Sequence, residues 1–242
     1  MSWSKFIVCS DSHGDMEDTA AVSAFLKFNS IWKAKYRIHA GDLFDCRPLR
    51  RGADEEEKRE AIGNDFNAGM DFLDSYKPTH FLRGNHDERL YDLATDGFGI
   101  RQEHAIELTQ KLEAKLGKLK CDMRPYHKRN GVLEIGKFRA IHGFSCGPNA
   151  ARETARTYGT CTMGHGHNIQ SASIPGLDTK VGRMIGCLCV LDFKYNRAMM
   201  SSLAHQHGFG HGVVDSRTGE FHFWQSQSIN GVWVIPSDIV VI

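Results

Sequence analysis

A chain of 242 residues with 41% hydrophobic and 24% charged side chains can bury a core without cross-links, and its composition excludes disorder and collagen-like repeats. Thirty Lys and Arg against 29 Asp and Glu leave a formal charge of +1, which excludes a uniformly basic nucleic-acid wrapper. Apolar runs fall well short of the roughly 18 residues of a membrane span, and the start MSWSKFIVCSDSHG lacks an export pattern, so a cytoplasmic protein with no membrane partner is expected.

The first half alternates short apolar runs with helical periodicity, which points to a layered α/β architecture. KFIVCS (5–10) reads as a strand ending in a polar turn. Ala21, Ala24, Phe25, Phe28, Ile31 and Trp32 then recur at helical spacing. YRIHA (36–40) is a second strand. The acidic run DEEEKRE (54–60) is expected to open a helix as its solvated first turn, with Ile62, Phe66, Met70 and Leu73 facing inward. Lys77-Pro78 ends that helix, THFLR (79–83) is the third strand, and residues 103–116 read as another helix.

The second half changes character. GVLEI, KFRAIH, TCTMGH, CLCVLDF, GVVD, EFHFWQ and GVWVI are strand-like, and Asp215 to Gly219 forms a hairpin turn. No linker or repeat divides the chain. One domain over residues 1–242 is expected, with a basic insert near 101–141 and a strand-rich C-terminal part. The seven cysteines include no Cys-x-x-Cys pair and are expected to be reduced thiols. Cys187 and Cys189 read as small apolar residues on one strand face rather than as half of a zinc site.

Thirteen histidines exceed what packing needs, and five of them stand where strands end. Asp11-Ser12-His13 follows the first strand, Gly41-Asp42-Leu43-Phe44-Asp45 the second and Gly84-Asn85-His86-Asp87 the third. His142-Gly143 and Gly164-His165-Gly166-His167 follow later strands. Loops at the carboxyl ends of strands are where layered α/β enzymes build sites. Asp11, His13, Asp42, Asn85, His142, His165 and His167 make a nitrogen and oxygen donor set without thiolate, suited to intermediate divalent metals. Seven donors are too many for one catalytic ion and suit two ions sharing a carboxylate.

These five blocks, in this order over residues 11–167, resemble the calcineurin-like metallophosphoesterase superfamily, whose pattern is D-x-H, G-D-x-x-D, G-N-H-[DE], a lone H and G-H-x-H. The resemblance implies a β-sandwich flanked by helices, in α/β/β/α layers. It assigns Asp11, His13 and His167 to one metal ion and Asn85, His142 and His165 to a second, with Asp42 bridging. His86 becomes the non-ligand histidine that protonates the leaving oxygen, oriented by Asp45. Asp87 fills a variable acidic slot, where a surface or turn-capping role is equally compatible. Protein-phosphatase relatives carry Arg directly after the second Asp, whereas here Cys46 intervenes before Arg47. Arg47 is therefore a weakened candidate for substrate contact; Arg152 and Arg156, on a short helix following His142, are candidates to meet a phosphate, with an exposed helix face the alternative.

The expected activity is a two-metal phosphoesterase, with manganese the leading ion and Fe, Ni, Zn or Co compatible. Two cations about 3.5–4 Å apart acidify a shared water, and the hydroxide attacks phosphorus in line without a phosphoenzyme. Phosphodiesters are the preferred substrate, as nucleic acid or cyclic nucleotide. A phosphomonoesterase or protein phosphatase with the same metals is the alternative, and a degenerate, non-enzymatic scaffold the third reading. Residues 101–141 carry ten basic and five acidic side chains, an excess compatible with DNA or RNA as partner. GCLCVLDFKYNR and HQHGFGHG are similar to what phage-borne members carry after G-H-x-H, which would place the protein in a host cytoplasm. His39 and His80 read as core histidines, His104 and His127 as exposed, and His205 to Gly212 as a Gly-rich turn with solvent-facing histidines.

Overall fold

The computed structural model describes residues 3–193 and 199–236. Strand and helix alternate through the first half: β1 (Trp3–Cys9), α1 (Thr19–Trp32), β2 (Tyr36–His39), α2 (Ile62–Tyr76) and β3 (His80–Leu82). Two helices, α3 (Asn85–Asp96) and α4 (Gly99–Leu119), precede β4 (Asp122–Arg124). Next come β5 (Leu133–Ile135), β6 (Phe138–Ile141), α5 (Ala150–Tyr158) and β7 (Cys161–Met163). Strands β8 (Ile169–Ile174), β9 (Lys180–Ile185), β10 (Gly208–Asp215), β11 (Phe221–Ile229) and β12 (Val232–Trp233) follow.

Successive side chains of β1 point to opposite faces and divide the core in two. Phe6 and Val8 pack with Ile38 and Leu82 against Leu133, Phe138 and Ile185 of the facing sheet. Ile7 and Cys9 pack with Phe25, Trp32, Leu73, Tyr76 and Leu112 of the helices. One sheet has the order β12-β11-β10-β1-β2-β3-β4, with β1 to β4 parallel and β10 antiparallel to β1. The other runs β5-β6-β7-β9-β8. Ile141, Met163 and Met184 turn its outer face to Ala150 of α5. The result is the expected α/β/β/α layering.

Local chemistry sets the element ends. The Asp18 carboxylate accepts the Ala21 amide at 2.8 Å and caps α1. Lys77, at φ 52°, takes the left-handed conformation that ends α2 before Pro78. That helix begins at Ile62, so the acidic run is not its first turn. Asp54 accepts the amides of Glu56 and Glu57, each at 2.9 Å, which favours a separate turn over helix. Glu57 is buried there and pairs with Arg50 at 2.5 Å.

Two further expectations change. CLCVLDF is not a strand: Gly186, at φ 79°, turns the chain out of β9, and Cys187 and Cys189 make isolated bridges to His207 and Glu17. Residues 194–197 of the adjoining stretch lie outside the described residues. The segment from His205 is not a solvent-facing turn either, because β10 occupies Gly208–Asp215, buried throughout. A side chain at Gly210 would strike the Phe223 ring, and one at Gly212 the Phe6 ring. These glycines admit aromatic packing in a central strand.

Candidate metal centre

The loops leaving β1 and β2 are zipped together by their backbones. The amides of Asp11 and His13 donate to the carbonyls of Gly41 and Asp42, at 2.9 and 3.1 Å. From the facing sheet, the Gly164 amide donates to the His142 carbonyl at 3.0 Å, and the His165 amide to Asp11 Oδ2 at 3.0 Å. Asp11, His13, Asp42, His165 and His167 all hold left-handed backbone, with φ between 53° and 71°. Such strain costs about 1–3 kcal/mol per residue and gathers at functional sites. Gly41, at φ 103°, lies so close to His142 and Gly84 that a Cβ would collide with both.

This framework brings all seven candidate ligands into one cluster, in which Asn85 and His165 are half-buried and the other five buried. His142 Nε2 lies 3.2 Å from Asp42 Oδ2 and 3.1 Å from Asn85 Oδ1, and the His165 ring stands 5.2 Å from the His142 ring. On the other side His13 Nε2 faces His167 Nε2 at 3.1 Å. Asp11 Oδ1 lies 3.4 Å from His167 Nε2 and 3.9 Å from His13 Nε2. Asp42 Oδ2 is also 3.9 Å from His13 Nε2. Donor atoms of Asp11, His13 and Asp42 form one group within 4.8 Å, and those of Asp42, His142 and His165 form another. Asp42 belongs to both.

Charge and hydrogen bonding fit such a donor set to cations. Asp11 Oδ1 is buried and has no hydrogen-bond partner among the described residues. Burial opposes ionisation of Asp42, but the imidazoles of His142, His86 and His13 outweigh it and hold its carboxyl far below the usual range. Burial likewise works against a cationic His142, yet Asp42 pushes it up to about 9. His167 rises to about 9 against burial through its contact with Asp11. Burial and then the cationic His142 pull His165 down to about 4. The carboxylates draw positive charge onto their neighbours, and divalent ions would displace those protons.

A model of the calcineurin-like phosphoesterase family matches residues 4–176, more than two thirds of the sequence. The chain belongs to that family. Comparison with curated proteins finds no match. Among solved structures it is similar to an archaeal phosphodiesterase at 13% identity and TM-score 0.45, over 91% of this chain and 99% of the other. Vps29 from Entamoeba histolytica matches at 13% and TM-score 0.49, over 95% and 96%. Yfce, a phosphoesterase from E. coli, matches at 15% and TM-score 0.42, over 91% and 97%. As a calcineurin-like phosphoesterase the protein is a metal-dependent hydrolase of phosphoric esters. Among the described residues no helix is long and apolar enough to cross a membrane.

Beside this candidate ligand cluster, His86 Nδ1 lies 2.6 Å from the Asp45 carbonyl and 3.2 Å from Asp45 Oδ1. A carbonyl only accepts, so the shorter contact assigns the proton to Nδ1, and Arg89 Nη1, 3.0 Å from the same nitrogen, directs its own proton to the carbonyl. Asp45 Oδ1 also meets His13 Nδ1 at 3.0 Å, which leaves His13 Nε2 free for a metal. Arg89, which sequence reasoning passed over, donates to the Asp45 carbonyl at 3.2 Å from one turn further along α3.

Arg47 does not present a free guanidinium. Asp15 binds it with both oxygens at 2.7 and 2.8 Å, Glu60 at 2.5 Å and Asp45 at 3.4 Å. Arg152 reaches the Ser173 carbonyl at 3.5 Å and Arg156 pairs with Glu153 at 2.7 Å, so neither is tied to the cluster. Asp87 is buried rather than superficial, and caps α3 through the Gly84 amide. Cys189 is expected only to pack, yet its Sγ stands 3.7 Å from His167 Nδ1. No sequence spacing signals that approach. Of the remaining histidines, His39 is buried against Ser12 Oγ at 3.1 Å, His80 is half-buried, and His104 and His127 are exposed.

Proposed function

We propose that the protein hydrolyses phosphodiesters at a centre holding two divalent ions, with Mn the first ion to test. Asp11, His13 and His167 would hold one ion, Asn85, His142 and His165 the other, and Asp42 both. The sharing of Asp42 between two donor groups is the observation that carries this reading. Bound there, the ions would acidify a water and neutralise charge on the phosphoryl oxygens.

The chain's own residues supply the rest. Asp45 holds His86 through Nδ1, so that Nε2, 3.9 Å from Asp42 Oδ2, faces the cluster. A protonated His86 then delivers its Nε2 proton to the leaving oxygen. The preference for a diester rests on Arg47. A dianionic monoester needs an uncommitted cation, and this guanidinium is held by three carboxylates.

Hydrolysis of bis(p-nitrophenyl) phosphate and p-nitrophenyl phosphate, each with added Mn, tests the reading. The diester should turn over faster, and His86→Ala should lower its kcat by about 100- to 10,000-fold while retaining bound metal. Monoester turnover well above diester turnover would overturn the substrate class.

A further inference from the structure

On the reading of a phosphodiester substrate, we infer that the groove running from β4 and β5 to the end of α5 carries single-stranded nucleic acid into the metal centre. The groove has a volume of about 910 Å³ and is lined by Arg124, Lys128, Arg129, Arg139 and Lys180 against one acid, Glu134. Two of the cations are fixed in its wall. Arg124 binds Asp122 at 3.1 Å and the Val132 carbonyl at 2.8 Å. Arg139 takes up Glu134 at 2.6 Å and the Tyr158 carbonyl at 2.7 Å. Lys128, Arg129 and Lys180 are exposed, and no carboxylate of the described residues stands within 4.0 Å of them. Much of the basic excess of residues 101–141 is thus gathered in one groove.

Between the groove residues Arg124 and Lys128 in the chain stands Tyr126, whose contacts lead to the metal centre. Tyr126 donates its hydroxyl to the Gly143 carbonyl at 3.1 Å, and its ring lies 5.7 Å from that of His142. Its other neighbour is Phe144, ring to ring at 4.9 Å, and Phe144 is 45% exposed. A positive groove that tracks a backbone, with an open ring between it and the reacting centre on which a base can stack, is the chemistry of single-strand binding, and Phe144 reaches that position through Tyr126. A duplex offers no free base face to Phe144.

The test uses a fluorescein-labelled single-stranded oligonucleotide, with binding read by anisotropy across salt concentrations and hydrolysis of bis(p-nitrophenyl) phosphate with Mn as control. Three single-strand phosphate contacts contribute about two to the salt slope. The Lys128→Glu/Arg129→Glu/Lys180→Glu variant should therefore lose about two from its slope, so that the wild-type advantage shrinks about 16-fold between about 50 and 200 mM salt. Phe144→Ala should cost at least about five-fold in affinity with the slope unchanged. Hydrolysis of the small diester should stay within about two-fold in the triple variant, since the groove lies outside the centre.

An unchanged slope overturns the groove, as does a parallel loss of small-diester hydrolysis. Competition by polyglutamate equal to that by the oligonucleotide would assign the groove to an acidic polypeptide and overturn it too. Small-diester hydrolysis without oligonucleotide binding removes the groove alone. Binding without hydrolysis of any ester removes the catalytic reading alone.

Discussion

Three backbone amides converge on the Asp87 carboxylate, those of Asp42 at 2.8 Å, Phe44 at 3.0 Å and Gly84 at 2.8 Å. Asp65 does the same for Asp45 and Cys46, at 2.9 and 2.7 Å. Both carboxylates are buried, and burial pushes each up to about 7. Together they hold a loop in which Asp42 and Cys46 have left-handed backbone. Asp87→Ala would leave three buried donors without an acceptor, at about 1–3 kcal/mol each, so urea denaturation should show a loss of at least about 3 kcal/mol. Asp87→Asn keeps an acceptor and the shape but loosens the Asp42 backbone. Its Mn affinity by titration calorimetry should fall about 10- to 100-fold, and wild-type affinity would remove Asp87 from the support of the centre. The candidate ligand blocks stand out in the sequence because Asp, His and Asn at fixed spacing after strands are chemically conspicuous. Asp87 is not, because its partners are amides up to 45 positions away.

His211 shows the same limit at the scale of an element. Alternate glycines made the start of β10 read as a turn, whereas the strand is pinned between β1 and β11 with His211 only 1% exposed. The Phe28, Trp32 and Trp224 rings surround it at 4.8, 5.0 and 5.7 Å. Burial pulls its pKa down to about 4, against about 6.5 in an unfolded chain. Below that unfolded value the unfolded chain takes up a proton that the native ring refuses. The stability His211 contributes is therefore complete above about pH 6.5 and is lost as pH falls toward 4, to the extent of about 3 kcal/mol. Carboxylates elsewhere titrate over part of this range as well, so the informative quantity is the difference between wild type and His211→Phe. The phenyl variant should lose about 6–12 °C less in Tm between pH 7 and 4, and equal losses would place the titration elsewhere. Strands β1 to β3 and helices α1 and α4 were legible because their apolar periodicity is undiluted. Strands β8 and β9 were not: the burial pattern of β8 contains no fully buried residue, and polar positions interrupt both.

Across the whole molecule the centre lies where the two sheets meet, and each proposed ion takes ligands from both. Asp11 and His13 follow β1 while His167 follows β7; Asp42 and Asn85 follow β2 and β3 while His142 and His165 follow β6 and β7. The five sequence blocks are legible, but nothing in their order shows that two sheets contribute to one site. Bound ions would therefore join the layers as well as serve the chemistry. An ion that binds only the folded state, at about 100 times its Kd, adds about 2.7 kcal/mol of stability. A chain of this size gains about 2–4 °C in Tm per kcal/mol, so each ion should raise Tm by about 5–11 °C. Asp42→Asn tests the sharing. Without metal the substitution removes the charge that holds His142 protonated as well as the repulsion from Asp11, so each variant is compared with its own metal-free Tm. With metal it weakens both sites at once, so scanning calorimetry with and without Mn should show most of the gain lost. Asn85→Ala removes a ligand of one site only and should lose about half. A gain in Asp42→Asn equal to that of wild type would mean that Asp42 bridges nothing, and equal losses in the two variants would mean that the sites are not separate.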